Sequence, residues 1–184
     1  MSTIYKMLKN NKRVLVFPIV IWVTFTVISL CDVYSLKGNF TTINLNVANL
    51  KWSELFFHNA SSAILMILLG NLTFGIASSL MLLYNAYLTS ASIYYVYLNS
   101  GSIIYSVLLI FTHGLIEILA ISLAFLLSTS TLRKFINKRY NAKKFYINSV
   151  SEKMSIFITI LTLLLFAAII EANISFLVAK QFIK

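Results

Sequence analysis

The feature that constrains this chain most is the length of its uncharged apolar runs. Residues 14–31 contain no charge, and neither lysine nor arginine occurs between Trp52 and Leu132. A helix of about 18 residues is roughly 27 Å long, close to the thickness of the hydrocarbon core of a bilayer. Only 11% of the residues are charged, whereas soluble domains average about 25%. We therefore predict an all-α, multi-pass transmembrane helical bundle.

The hydropathy pattern predicts about five spans in one integral membrane domain, residues 1–184. The predicted spans are 14–31, 60–83, 85–98, 102–127 and 155–179. Trp52, Phe56 and Phe57 indicate a short interfacial helix before the second span, because aromatic side chains favour head-group depth. The third segment is short, so six spans or a re-entrant third segment remain alternatives.

The net charge of +10 is concentrated beside the apolar runs. Four cations precede the first span, and seven lie in the loop 128–153. Such blocks mark the cytoplasmic side of a membrane and give no reason to expect nucleic-acid binding. We expect a cell-membrane protein with a cytoplasmic N-terminus and, after five crossings, an extracytoplasmic C-terminus. The single cysteine, Cys31, excludes an internal disulfide.

Three ionisable side chains fall inside predicted spans. His113 and Glu117 are four residues apart and share a helix face, and Glu171 lies on another helix. We expect them to form an intramembrane polar cluster with Asn59, Asn71 and Asn85. A structural clamp is the favoured interpretation, and a proton relay, substrate contact or metal site remain alternatives. The metalloprotease motif H-E-x-x-H is absent, so we expect no catalytic residue, metal or cofactor.

Small residues within the spans predict close helix packing. Gly75 and Ser79 form a small-xxx-small pair that allows two backbones to approach. Gly70 and Gly114 are expected to have the same packing role.

The basic loop also carries apolar side chains between its cations. Phe135 and Tyr140 follow a roughly helical spacing with Leu132 and Ile136, which indicates a helix on the inner leaflet. We predict a surface that docks a partner or anionic lipid, and a loop that serves only to set the topology is the alternative. Its residues are Arg133, Lys134, Phe135, Lys138, Arg139, Tyr140, Lys143 and Lys144.

The central motifs resemble the stage II sporulation protein M family. They are His58-Asn59, Gly70, Gly75, Asn85, His113-Gly114-Leu115-Ile116-Glu117 and Ile170-Glu171. The resemblance covers about residues 55–176, and its H-G-x-x-E helix is the most specific part. Ala86, Ser90 and Ser128 depart from the family pattern, in which glycine is common at these positions.

The resemblance implies a membrane protein without established catalysis. Family members occur in sporulation engulfment assemblies, and small members accompany circular bacteriocins beside ABC-type ATPases. We expect a non-catalytic subunit in peptide maturation, export or self-immunity, with membrane lipids, other membrane subunits or an ATPase as partners and a homo-oligomer as a further option. The alternatives are a membrane metallohydrolase using His113, Glu117 and Glu171, and an envelope-remodelling scaffold.

Overall fold

The computed structural model describes residues 9–35, 51–140, 145–146 and 148–182, and all of its regular structure is helical. The all-α prediction is therefore confirmed for these residues. The helices are α1 (Lys12–Ser35), α2 (Trp52–Leu72), α3 (Ile76–Ser100), α4 (Ile103–Ser128), α5 (Ser130–Arg139) and α6 (Val150–Phe182).

Four of these helices are long and apolar enough to cross a membrane. These spans are Lys12–Asp32, Trp52–Leu72, Ile103–Ser128 and Val150–Asn173. Helix α3 is not among them, although its 25 residues make it about 37 Å long. The chain is thus membrane-embedded, and the count of about five spans stays a prediction that depends on α3.

The long helices alternate in direction. Asn11, just before α1, accepts a hydrogen bond from Arg133 of α5. Asn71 at the end of α2 binds the backbone of Leu127 at the end of α4. The starts of α1, α3 and α6 and the ends of α2 and α4 therefore meet around α5, at what we call the α5 end.

The predicted boundary between the second and third spans is wrong. The chain reverses at Thr73–Gly75, inside the predicted span 60–83, and α3 continues unbroken through Asn85. Gly75 has φ +93° and Phe74 has φ +52°, so the turn uses two left-handed residues. The predicted interfacial helix at Trp52 is instead the first turn of α2.

Helix α1 packs mainly against α3 and α4. Its Trp22 is buried and meets Phe111 of α4 edge to face, with ring centroids 6.2 Å apart. Ser90 of α3 donates a hydrogen bond to the carbonyl oxygen of Thr26 at 2.9 Å. Many other apolar side chains are exposed along the long helices, as a surface facing lipid requires.

Cysteine labelling will test the predicted orientation in the membrane. In a Cys31→Ser background, we expect Phe40→Cys to react with an impermeant maleimide in intact cells, because its loop is predicted outside. Lys138→Cys on α5 should react only after permeabilisation. Labelling of both positions from the same side would contradict the arrangement. Phe40 itself lies outside the described residues.

Candidate functional site

A polar cavity of about 250 Å³ lies in the half of the bundle away from α5. Helices α2, α3, α4 and α6 form most of its wall, and Trp22 of α1 completes it. Its polar and ionisable lining residues are His58, Asn59, Ser62, Asn85, Thr89, Ser92, His113, Glu117 and Glu171. Helical spacing explains their convergence, since residues three and four apart occupy one face.

The best-defined contact in the polar cavity joins α2 to α4. The side-chain amide of Asn59 donates to Oε1 of Glu117 at 2.6 Å. His113, one turn before Glu117, is 8% exposed, and its Nδ1 is buried without a hydrogen-bond partner among the described residues. Glu171 lines the same cavity from α6. The wall therefore holds two carboxyl groups and an imidazole with unused hydrogen-bonding capacity.

The structure brings together five of the six residues expected in one intramembrane cluster. Asn59, Asn85, His113, Glu117 and Glu171 all line the polar cavity. Among the described residues, no group of three or more His, Cys, Asp or Glu side chains is arranged to hold a metal ion.

Asn71 is the exception, because it lies at the α5 end. Its side-chain amide donates to the carbonyl oxygen of Leu127 at 3.0 Å. Its Oδ1 accepts from the hydroxyls of Ser130 and Thr131 at 2.8 and 3.0 Å. Asn71 therefore joins α2 to the corner between α4 and α5, more than three helical turns along α2 from Asn59.

We expect Glu117→Ala to lower the stability of the detergent-solubilised protein by about 1–3 kcal/mol, because the amide of Asn59 loses its acceptor. Glu54→Ala is the matched control, since Glu54 is exposed in the first turn of the same helix as Asn59. Thermal unfolding of both variants and wild type provides the measurement. Equal midpoints for all three proteins would show that the Asn59–Glu117 contact contributes nothing.

The prediction that Arg133 belongs to a docking surface is wrong, because this residue is buried. Its side chain is 3% exposed and binds backbone and side-chain oxygens on three sides. It donates to Asn11 Oδ1 at 2.9 Å, to the carbonyl oxygen of Tyr146 at 2.8 Å and to that of Leu126 at 2.7 Å. Burial lowers the pKa of the Arg133 guanidinium to about 10, which still leaves it charged at neutral pH. Arg133 therefore anchors α5 instead of displaying a charge.

The outward face of α5 carries most of the remaining predicted docking residues. The exposed side chains are Lys134, Phe135, Lys138, Arg139 and Tyr140, whereas Lys143 and Lys144 lie outside the described residues. Phe135 is 56% exposed, and its ring centroid lies 5.8 Å from that of Phe74 in the α2–α3 turn. An apolar side chain among cations is thus held against the bundle while most of its surface stays free.

The match to a family model covers both the polar cavity and the α5 end. The model for stage II sporulation protein M matches residues 14–176. The chain belongs to the stage II sporulation protein M family. Neither a curated protein nor a solved structure matches it. The resemblance seen in the sequence motifs is thereby confirmed, and the matched residues run from the start of α1 to the outer part of α6.

The three glycines predicted to pack in this stage II sporulation protein M family member have different environments. A Cβ at Gly70 would lie 2.6 Å from Cβ of Ser128 and 2.9 Å from Oγ of Ser78, so α2 packs closely there. Gly75 lies in the turn, where a Cβ would be 3.2 Å from Thr129, and Ser79 donates to its carbonyl oxygen. A Cβ at Gly114 would meet nothing within 4 Å. The packing role predicted for Gly114 is therefore wrong, because this glycine lines the polar cavity.

Two structural contacts near α5 went unnoticed in the sequence. Ser149 and Glu152 form a capping box at the start of α6, with bonds of 3.2 Å from the Glu152 amide and 2.8 Å from the Ser149 amide. The spacing S-x-x-E before an apolar run was a usable signal for it. Asn137 makes two side-chain hydrogen bonds to the backbone of Phe145, and no comparable local motif predicts them.

Proposed function

We propose that this chain is a non-catalytic membrane subunit of a multiprotein assembly and that α5 couples it to a cytoplasmic ABC-type ATPase. The observation that supports this proposal is the placement of α5, which is anchored to the bundle on one face and exposed on the other. A membrane subunit without catalysis acts through contacts, and α5 offers an apolar side chain flanked by cations. Aromatic side chains close to arginine are typical of interface hot spots.

The anchored face of α5 connects a partner bound at its exposed face to the long helices of the bundle. Arg133 ties α5 to the start of α1 and to the end of α4. Asn71 ties the α4–α5 corner to the end of α2. Because these contacts are short and buried or partly buried, a displacement of α5 would be transmitted to several long helices at once. Asn59, farther along α2, would carry it to the polar cavity.

Family membership supports two settings for this assembly. Resemblance to small members that accompany circular bacteriocins favours peptide maturation, export or self-immunity. The second setting is a scaffold in an envelope-remodelling complex. A metal-dependent hydrolase using His113, Glu117 and Glu171 is an alternative of a different class, although no metal-holding group is found among the described residues. Cell-wall hydrolase genes beside its gene would favour the scaffold, and stoichiometric zinc in the purified protein would favour the hydrolase.

The proposed location is the cell membrane, with the N-terminus and α5 in the cytoplasm and the C-terminus outside. Cations on the outward face of α5 support this orientation, since cytoplasmic segments are enriched in lysine and arginine. The same cations attract anionic head groups at roughly 1 kcal/mol each. Lipid adhesion is therefore compatible with the proposal, and partner docking has to be tested separately from it.

A double substitution separates docking from adhesion. Phe135→Ala with Tyr140→Ala should reduce co-purification of the proposed ABC-type ATPase by at least tenfold, because the apolar anchors are lost while every cation remains. Trp52→Ala with Phe57→Ala is the matched control, since both aromatic side chains are exposed at the start of α2, far from α5. Undiminished co-purification of the α5 variant from a properly inserted protein would overturn the docking role.

A further inference from the structure

In the described part of the chain, the polar cavity contains acidic groups without a matching cation, and few of its polar groups are hydrogen-bonded to one another. Glu117 and Glu171 both line it, and among the residues that the structure describes no lysine or arginine does. The sequence itself supplies no such cation to α2, α3 or α4, since residues 53–131 contain neither lysine nor arginine. Only one hydrogen bond, from Asn59, joins the described polar side chains across the cavity.

His113 adds to the polar cavity a buried nitrogen atom without a hydrogen-bond partner in the described part of the chain. More than nine-tenths of this residue is buried, and its Nδ1 has no partner among the described residues. A purely structural clamp would pair a buried imidazole nitrogen, because leaving one unpaired costs about 1–3 kcal/mol. The polar cavity thus combines two carboxyl groups with a side chain that still requires a partner.

We propose that the polar cavity binds a primary alkylammonium group, the chemistry found at the end of a lysine side chain. An ammonium group supplies one positive charge and three hydrogen-bond donors, and the acceptors that the cavity wall offers to them are the carboxyl oxygens of Glu117 and Glu171 and the unpartnered Nδ1 of His113. The apolar part of the wall, including Trp22, Met66 and Ile118, suits the alkyl chain. An indole face also attracts a nearby cation.

The size and charge of the polar cavity narrow the ligand further. About 250 Å³ is below the roughly 300–1,000 Å³ typical of sites for drug-sized ligands, so a group of side-chain size is the better match. An amine-headed phospholipid is disfavoured, because its phosphate would enter beside two carboxyl groups with no cation to receive it. The inference depends on the polar cavity alone and holds whether or not α5 docks an ATPase.

Fluorescence of Trp22 provides the test. The full chain carries two tryptophans, so a Trp52→Phe variant in phosphatidylcholine nanodiscs reports from the cavity wall alone. We expect n-butylammonium chloride to change the emission saturably. At equal ionic strength, the uncharged probe n-butanol should bind at least tenfold more weakly. Equal responses to the two probes, or no saturable response to butylammonium, would overturn the proposal.

Two nearly isosteric substitutions locate the binding site. Glu171→Gln should weaken butylammonium binding at least tenfold, whereas Glu54→Gln on the exposed face of α2 should leave it unchanged. If Glu171→Gln lowers the yield of folded protein, Glu117→Gln repeats the test, with thermal unfolding as the check on folding. Unchanged affinity in a folded variant of either cavity carboxyl would place the ammonium elsewhere and refute the assignment.

Discussion

Replacing Arg133 by alanine is expected to lower the free energy of unfolding by about 3 kcal/mol or more. The substitution leaves the oxygens of Asn11, Leu126 and Tyr146 without the guanidinium donor that reaches all three. Each hydrogen bond to a charged group contributes about 1.5–3 kcal/mol. For a chain of this size, such a loss lowers the midpoint of thermal unfolding by roughly 6–12 °C. Thermal unfolding in detergent, together with the yield of monodisperse protein, measures the effect.

Two further variants separate the loss of the buried hydrogen bonds from the loss of a positive charge. Arg139→Ala removes the same charge from an exposed position of α5 and should leave the midpoint close to wild type. Arg133→Lys should recover only part of the loss, because one ammonium lacks the planar fork of a guanidinium. Similar midpoints for Arg133→Ala and Arg139→Ala would mean that the buried hydrogen bonds do not anchor α5.

Substituting Gly70 by alanine should destabilise the bundle by about 1–3 kcal/mol, the range typical of overpacking. The new Cβ would lie 2.6 Å from Cβ of Ser128 and 2.9 Å from Oγ of Ser78. Helices α2 and α4, or α2 and α3, would therefore have to separate at the α5 end. Gly114→Ala is the matched control within the membrane, because its Cβ meets nothing within 4 Å.

Ser128→Gly should rescue the Gly70→Ala variant in part. The substitution removes Cβ of Ser128, which is the atom closest to the new Cβ. Glycine is also common at this position in the family pattern. A double-mutant cycle on the midpoints should give a favourable coupling of at least 0.5 kcal/mol, as expected for residues in contact. Additive effects, or a Gly70→Ala variant as stable as Gly114→Ala, would show that the backbones do not approach as described.

The sequence predicted the helical class well because apolar runs of span length leave few other folds. It misplaced the turn at Thr73–Gly75 for a physical reason. The turn lies inside an apolar run that includes Leu72, Phe74 and Ile76, so hydropathy does not fall where the chain reverses. The signal that remained was Gly75, whose left-handed backbone is a common way to stop a helix.

The sequence predicts which candidate residues share a helix face, but it does not predict which residues from different helices line the same cavity. The four-residue spacing placed His113 beside Glu117, and both line the polar cavity. Asn59 and Asn71 look equivalent in the sequence, yet only Asn59 reaches that cavity, because the register between α2 and α4 decides which amide meets Glu117. Arg133 was equally hidden among similar cations. Its partner Asn11 is 122 residues away, a distance that no local pattern spans.

The packing of α1 has a consequence for the biosynthesis of the protein. Its main neighbours are α3 and α4, so α1 is synthesised well before the helices that it packs against. Trp22 cannot pack against Phe111 until α4 has been synthesised. Asn11 cannot bind Arg133 until α5 has been synthesised as well. Helix α1 must therefore insert into the bilayer before its native partners exist, and it can pack into the bundle only after α3, α4 and α5 have been made.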